Sequence, residues 1–376
     1  MSSAKTKTNW GWRYLKDIVQ RHFKGENVGF YAGDIYTAVA NGIKTKKQFE
    51  KDKKSTDDIS FMQEYLNIWL GNSEKSLYKY EDFEANQILQ NAFIPLSDYD
   101  FMMGEENEYR PKDNEVRILA MDVAIATGQS NDNTAIILGN INKDTLLASV
   151  EYVNGVNGLG TDEQCLLVKR LFYEYNAHYF VFDSKGLGNS FYSALNKETF
   201  DPQRNVTYPA WRIHEDNMLM MCTQSALNEK ISMATNDGED VIIPVVGSAS
   251  LNTLMHLALR KSLKDSVIKF LIDDGEASAY FEEQKYKDKW MLMTADERAD
   301  KMLPYLNTKF MINEAVSLEA EMKDDGNIKV IETRTGYKDR FMALDYFNYF
   351  TTLLRTKWFN ENDDDEIDVS EWELVF

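Results

Sequence analysis

The chain has 376 residues, 43% of them hydrophobic, and a formal net charge of −19. That length allows two or three domains and at least one large core. Only Cys165 and Cys222 are present, with no CxxC pair or Cys/His cluster, which argues against a disulfide scaffold or a structural zinc site. No apolar run approaches the roughly 20 residues needed to span a bilayer, and the polar start lacks a signal-peptide core, so a soluble chain in a reducing cytoplasm is expected.

The acidic balance weighs against nucleic-acid binding, because phosphate affinity comes from Lys and Arg. The charge is uneven, however. Lys44, Lys46, Lys47, Lys51, Lys53 and Lys54 crowd the early part of the chain, whereas Glu361–Glu373 is strongly acidic. Acids gathered to hold divalent cations would also inflate the negative total.

In chain order, Trp12–Phe23 reads as an amphipathic helix, and Asp57–Leu70, with Phe61, Tyr65, Ile68 and Trp69, as another. Ser97–Asn114 is polar, contains Gly104 and Pro111, and reads as a linker. Then come strands at Val116–Ala126, Asn133–Asn140 and Asp144–Val153, separated by turn-length polar segments, which predicts an antiparallel meander. Asp162–Tyr175 carries a helical stripe through Leu166, Leu167, Leu171 and Phe172, and His178–Asp183 is a short buried strand. Gly186–Leu195 is expected as a helix, Val206–Ile213 as a strand and Asn217–Ala234 as a helix. Val241–Val246 is a further strand, followed by a helix from Ser248 to about Ser262. Residues 276–322 read as predominantly helical, Asn327–Glu332 as a strand and Lys338–Lys357 as a final helix. Residues 360–376 form an acidic tail, either solvated or a docking peptide anchored by Trp372 and Phe376.

Three aspartates interrupt apolar runs: Asp122 in RILAMDVAIA, Asp183 closing YFVFD, and Asp339 opening DRFMALDYFNYF. An unpaired carboxylate beside a core costs several kcal/mol, which something cationic must offset. Asp122 shares a pleat face with Ala120 and Ile118. Asp339 shares a helix face with Met342, Tyr346, Phe350 and Leu353. Three meandering strands, a helix, a strand and a helix, with an acid in the first strand, give the order of the ribonuclease H fold, in which the first and fourth strands are neighbours. Taken singly, Asp339 would read as a helix cap and Asp183 as a turn residue. Together they predict a cluster for two divalent metals, Mg²⁺ or Mn²⁺ on hard oxygen ligands, with Asp122 bridging them and a phosphodiester as the group attacked.

The segments ILAMDVAIATGQSNDNTAIILG, HYFVFDSKGLGNSFYSAL and GYKDRFMALDYFNYF resemble the acid-bearing motifs of the large terminase subunit of tailed bacteriophages, in its nuclease domain. EYLNIWLGNSEKSLYKYEDF resembles the segment joining that family's packaging ATPase to its nuclease, and SSAKTKTNWGW a piece near the end of the ATPase. No GxxxxGK[ST] loop is present. The resemblance implies an α/β chain with a ribonuclease H-like nuclease domain at 111–359. Before it, at 1–110, would stand a mainly helical remnant of the ATPase plus linker, and after it a tail at 360–376. It implies Asp122, Asp183 and Asp339 as catalytic metal-binding acids, no ATPase site, and cleavage of double-stranded concatemeric DNA. The implied partners are an ATPase portion, a small terminase subunit and a portal protein, in the host cytoplasm and at the procapsid portal.

Around that core, Asp132 reads as a turn residue and Lys185 as a solvated cation; Gly186 and Gly188 would permit the strand-to-helix turn. Some relatives carry a histidine where Gly336 stands, so no histidine role is transferred. Lys338 and Arg340 are candidates for phosphate contact or exposed ion pairs, and Asp345 for a role supporting the metal-binding acids or a structural one. His178, His214 and His256 lack ligand spacing. The same strand order also occurs in actin-like and sugar-kinase ATPases, but the loop after Asp122 has a single glycine instead of a phosphate-cradling run. A non-catalytic portal-docking component is a further alternative.

Overall fold

The computed structural model describes residues 7, 9–56, 61–69, 76–124, 134–184, 188–232, 237–283, 287–323, 325–331 and 338–362. Asp132, Lys185, Gly186, Gly336 and residues 363–376 of the acidic tail lie outside the described residues. The chain divides into two compact units, Met1–Glu81 and Asp82–Phe376. No helix among the described residues is long and apolar enough to cross a membrane.

The first unit contains helices α1 (Trp10–Phe23), α2 (Ile35–Ala40) and α3 (Lys46–Ser55). Asn9 caps α1, and Thr45 with Gln48 forms a reciprocal capping box on α3. The expected helix Asp57–Leu70 is not found where it is described. Only one π-helical turn, Phe61–Tyr65, is present. Asn67 adopts φ 55°, a left-handed conformation that ends any helix there, and Phe61 stacks on Tyr65 at 5.2 Å.

The second unit is built on an eight-stranded sheet of order β1-β10-β4-β3-β2-β5-β9-β8. Its centre is β2 (Glu115–Asp122), β3 (Thr134–Asn142) and β4 (Ala148–Val156), an antiparallel meander, with β5 (Tyr179–Asp183) and β9 (Glu239–Val245) added in parallel beyond β2. That is the ribonuclease H-like arrangement the element order predicts. β8 (Trp211–Ile213) closes one edge, and β10 (Ile268–Leu271) with β1 (Gln87–Leu89) the other. The sheet domain therefore begins upstream of residue 111.

The stretch expected as a linker is docked on this domain. It contains a short helix (Asp98–Met102), and Asp98 pairs with the buried Arg204 at 2.9 Å. Asn107 donates to Glu174 at 2.8 Å and Tyr109 stacks on Tyr175 at 4.7 Å. The expected strand Val206–Ile213 divides at Pro209, which has no N–H to give a ladder. Its first half, β7 (Val206–Tyr208), pairs with β6 (Thr199–Asp201); its second half is β8. The expected helix Asn217–Ala234 is a 3₁₀ turn at Asn217–Leu219 and a helix at Gln224–Ser232. Glu319–Met322, expected within the helical region, is a strand (β11) paired with β12 (Ile328–Ile331).

Each face of the sheet is covered. Leu119, Met121, Phe180 and Phe182 pack against the helices Thr161–Glu174 and Gly188–Leu195 through Cys165, Val168, Leu171, Phe172, Phe191 and Leu195. On the opposite face lie Ala249–Lys264, Ala295–Ser317 and Asp339–Asn362, here the rear, bridging and terminal helices. The terminal helix presents the predicted stripe: Tyr346 and Phe350 are buried, and Phe350 meets Tyr179 of β5 at 5.1 Å.

Between the rear and terminal helices, His256 Nδ1 is hydrogen-bonded to Asp345 Oδ2, both fully enclosed. Burial raises the Asp345 carboxyl and His256 draws it back. The pair ties the terminal helix to the rear helix. His256→Ala should therefore destabilise the domain by about 2 kcal/mol, since it strips the carboxylate of that partner. Urea unfolding would measure it, and an unchanged midpoint would contradict the assignment.

Candidate functional site

β2 and β5 lie side by side with Met121 beside Phe182, and each strand ends on an aspartate. The next step of that register puts Asp122 and Asp183 next to one another on one face, at the carboxyl ends where α/β sheets collect ligands. Along the same row, Ala135 of β3 sits opposite Asp122, and Gly155 of β4 opposite Ala135. The space over Gly155 is taken by the Arg340 guanidinium.

Both strand ends are fixed by polar side chains beneath. After Asp122, the Ala124 N–H donates to the Thr134 hydroxyl at 3.0 Å, and the buried Gln164 amide donates to the Ala124 and Leu159 carbonyls at 2.8 and 2.9 Å. After Asp183, the Ser184 hydroxyl and N–H both donate to the Val245 carbonyl, at 3.0 and 2.9 Å.

The terminal helix brings the third acid. Met342 N–H donates to the Lys338 carbonyl at 2.8 Å, which makes Lys338 the cap residue and Asp339 the first residue of the helix. The amides that an N-cap side chain would satisfy, those of Arg340 and Phe341, donate instead to Glu314 Oε2 of the bridging helix, at 2.9 and 3.1 Å. Arg340 also donates from Nη1 to Glu314 Oε1 at 2.8 Å, and both side chains are largely buried. Arg340 therefore forms an enclosed ion pair, in contrast to the exposed one expected.

Burial and like charge act together on these acids. The Asp122 carboxyl is pushed well above the usual carboxylate range, first by burial, then by the charges of Asp339 and Asp183; Glu314 adds to the push and Lys338 opposes it. Burial also raises Glu314, with Arg340 pulling it down and Asp339 pushing it up. The buried Tyr346 phenol is held well above its ordinary value by burial and then by Asp122, Asp183 and Asp345. Asp122 and Asp183 thus stand on adjacent strand ends, and Asp339 opens the helix that packs on those strands. Glu314 joins them, and the sequence reading missed it; its one local signal is that Lys338, at the cap position, has no acceptor oxygen.

An all-oxygen, like-charged donor set of this kind suits a hard divalent cation by charge and chemistry. The side chains are not gathered on a common point: among the described residues, no group of three or more His, Cys, Asp or Glu is arranged so that it could hold a metal ion. Mutual repulsion favours carboxylates that stand apart, and ligation requires their side chains to turn inward.

No family model and no curated protein matches the chain. Solved structures do. The solved structures it resembles are large terminases. The magnesium-bound large terminase nuclease of thermophilic phage G20c is 12% identical over 74% of this chain and 98% of that one, with a TM-score of 0.38. The nuclease domain of the large terminase subunit of bacterial virus Sf6 is 12% identical over 73% and 98%, with a TM-score of 0.35. The large terminase of a thermophilic bacteriophage in complex with ATP-gamma-S is 10% identical over 92% of this chain and 60% of that one, also at 0.35. These likenesses are loose, and the site is defined by its own residues.

Proposed function

We propose that the chain is a divalent-metal-dependent endonuclease of the terminase type, cutting double-stranded concatemeric DNA when genome packaging starts and stops. The observation that carries this reading is that Asp122 and Asp183 close neighbouring parallel strands in register, while Asp339 opens the helix that packs on those strands. The resemblance of the three acid-bearing segments to terminase motifs supports the substrate and setting. In this reading, Asp122, Asp183 and Asp339 hold two Mg²⁺ or Mn²⁺ ions. Such ions, when bound, lower the pKa of an attacking water and neutralise charge on the departing oxygen. Asp122 would be a ligand shared by the ions, and Lys338, which offsets part of the acid charge, is a candidate for phosphate contact. By the same resemblance, residues 1–110 would correspond to the end of that family's packaging ATPase domain and its linker. Partners of the whole assembly would be that ATPase, a small terminase subunit and a portal ring, in the host cytoplasm.

Supercoiled plasmid incubated with the full chain and Mn²⁺ should be nicked and then linearised, and EDTA should stop both. Asp183→Asn and Asp339→Asn should each slow nicking by roughly 10²-fold or more, as expected for loss of a preorganised charge. Wild-type rates in both variants would dispose of the site assignment. Strong thermal stabilisation by ATP with Mg²⁺, without DNA cleavage, would favour a kinase-like ATPase instead.

A further inference from the structure

A helix start normally supplies its own cap. Here Lys338 occupies the cap position with a side chain that can only donate, directly before the acid whose placement the proposed chemistry needs. The missing acceptor comes from a separate helix, through a carboxylate that is 8% exposed and takes the Arg340 and Phe341 amides on a single oxygen. Its other oxygen takes the Arg340 guanidinium. That guanidinium lies in the slot left by Gly155, where an added Cβ would come within 2.4 Å of Arg340 Nη2, and over the Phe310 ring at 5.7 Å. The first turn of the terminal helix is thus fastened both to the bridging helix and to β4. Gly155 stands in the same row of the sheet as Asp122. A cap made only for stability could have been a Ser, Thr or Asp at position 338; a cap built through the tertiary structure also fixes where the turn sits.

We propose that Glu314 is a positioning residue of the site: it acts through the first turn of the terminal helix and Arg340 to set Asp339 against Asp122 and Asp183. The inference rests on the nuclease reading, because that reading is what gives Asp339 a ligand to hold.

The test is Mn²⁺ binding by calorimetry on the full chain without DNA, alongside plasmid nicking and thermal melting. Glu314→Ala should weaken Mn²⁺ binding by roughly 10–100-fold, the scale for residues that orient metal ligands. Glu314→Gln, which keeps an oxygen for the amides, should recover most of it and serves if the alanine variant folds poorly. Thr294→Ala is the control: it removes the capping box that starts the bridging helix, at Thr294 and Glu297, and should lower the melting temperature while leaving Mn²⁺ affinity within about twofold. If Glu314→Ala loses no more affinity than Thr294→Ala, or if Glu314→Gln binds no better than Glu314→Ala, the positioning role is overturned while the nuclease reading stands. If the wild-type chain binds no Mn²⁺ and cuts no DNA, the nuclease reading fails and this inference fails with it.

Discussion

Asp122→Asn is expected to reduce metal-dependent DNA cleavage by roughly 10²–10³-fold or more, and at the same time to raise the melting temperature of the metal-free protein. Both effects have one cause. The carboxyl is raised well above its ordinary range by burial and by Asp339 and Asp183, so ionising it in the folded state costs free energy that the unfolded chain does not incur. The folded state holds this proton more tightly than the unfolded state does. The native state therefore bears no penalty from this group below about pH 4, the unperturbed value for aspartate. The penalty grows as pH rises from there to the raised value and stays constant above it. An asparagine of the same shape has no charge to bear. The asparagine variant should therefore melt higher than the wild type at pH 8, and the gain should vanish near pH 4. Mn²⁺ should stabilise the wild type more as pH rises, since protons and metal compete for the same oxygens, and should stabilise the asparagine variant little. Melting curves at both pH values, with and without Mn²⁺, decide the matter; a variant that melts lower than wild type at pH 8 would refute the like-charge account.

The aspartates were legible because each breaks a periodic pattern. Strand alternation put Asp122 on the face of Ala120 and Ile118, and the helical stripe through Met342, Tyr346 and Phe350 carried Asp339 to the sheet, where Phe350 meets Tyr179. The meander was legible because its turns are short and polar. What escaped was set by distant partners. β10 is a four-residue strand interrupted by Lys269, and β1 is shorter still; both exist through parallel pairing with strands far away in sequence. The acidic, glycine-containing stretch after Ser97 has the composition of a linker, yet Asp98 and Asn107 find Arg204 and Glu174 on the domain. Glu314 sits in an unremarkable helical context, and only the fold shows that it reaches the start of another helix. Pro209, by contrast, was a readable signal that the strand around it would divide.

Gly139→Ala should be among the most damaging single-atom-scale changes in the chain, although it lies in β3 and bears no charge. Gly139 pairs with Ile118 and so belongs to the face that carries Asp122. An added Cβ would meet the Ser149 carbonyl oxygen at 2.3 Å and the Phe347 ring at 2.6 Å. The ring could tilt at modest cost, but the oxygen belongs to the β4 backbone and can move only by disturbing the β3–β4 ladder. Overpacking of this kind costs about 1–3 kcal/mol, and the backbone clash sets this case at about 3. Phe347 lies on the helix that begins with Asp339, so a ring pushed outward takes the helix with it. A displacement of about 1 Å at a reacting centre costs on the order of 10² in rate. Gly155→Ala provides the contrast: the atoms nearest its Cβ belong to the Arg340 side chain and not to the backbone, so it should cost less stability while displacing the guanidinium from its pair with Glu314. Urea unfolding and plasmid nicking on the two variants separate these effects. Equal stability losses at Gly139 and Gly155 would mean that the packing of the terminal helix on β3 does not set the position of its first turn.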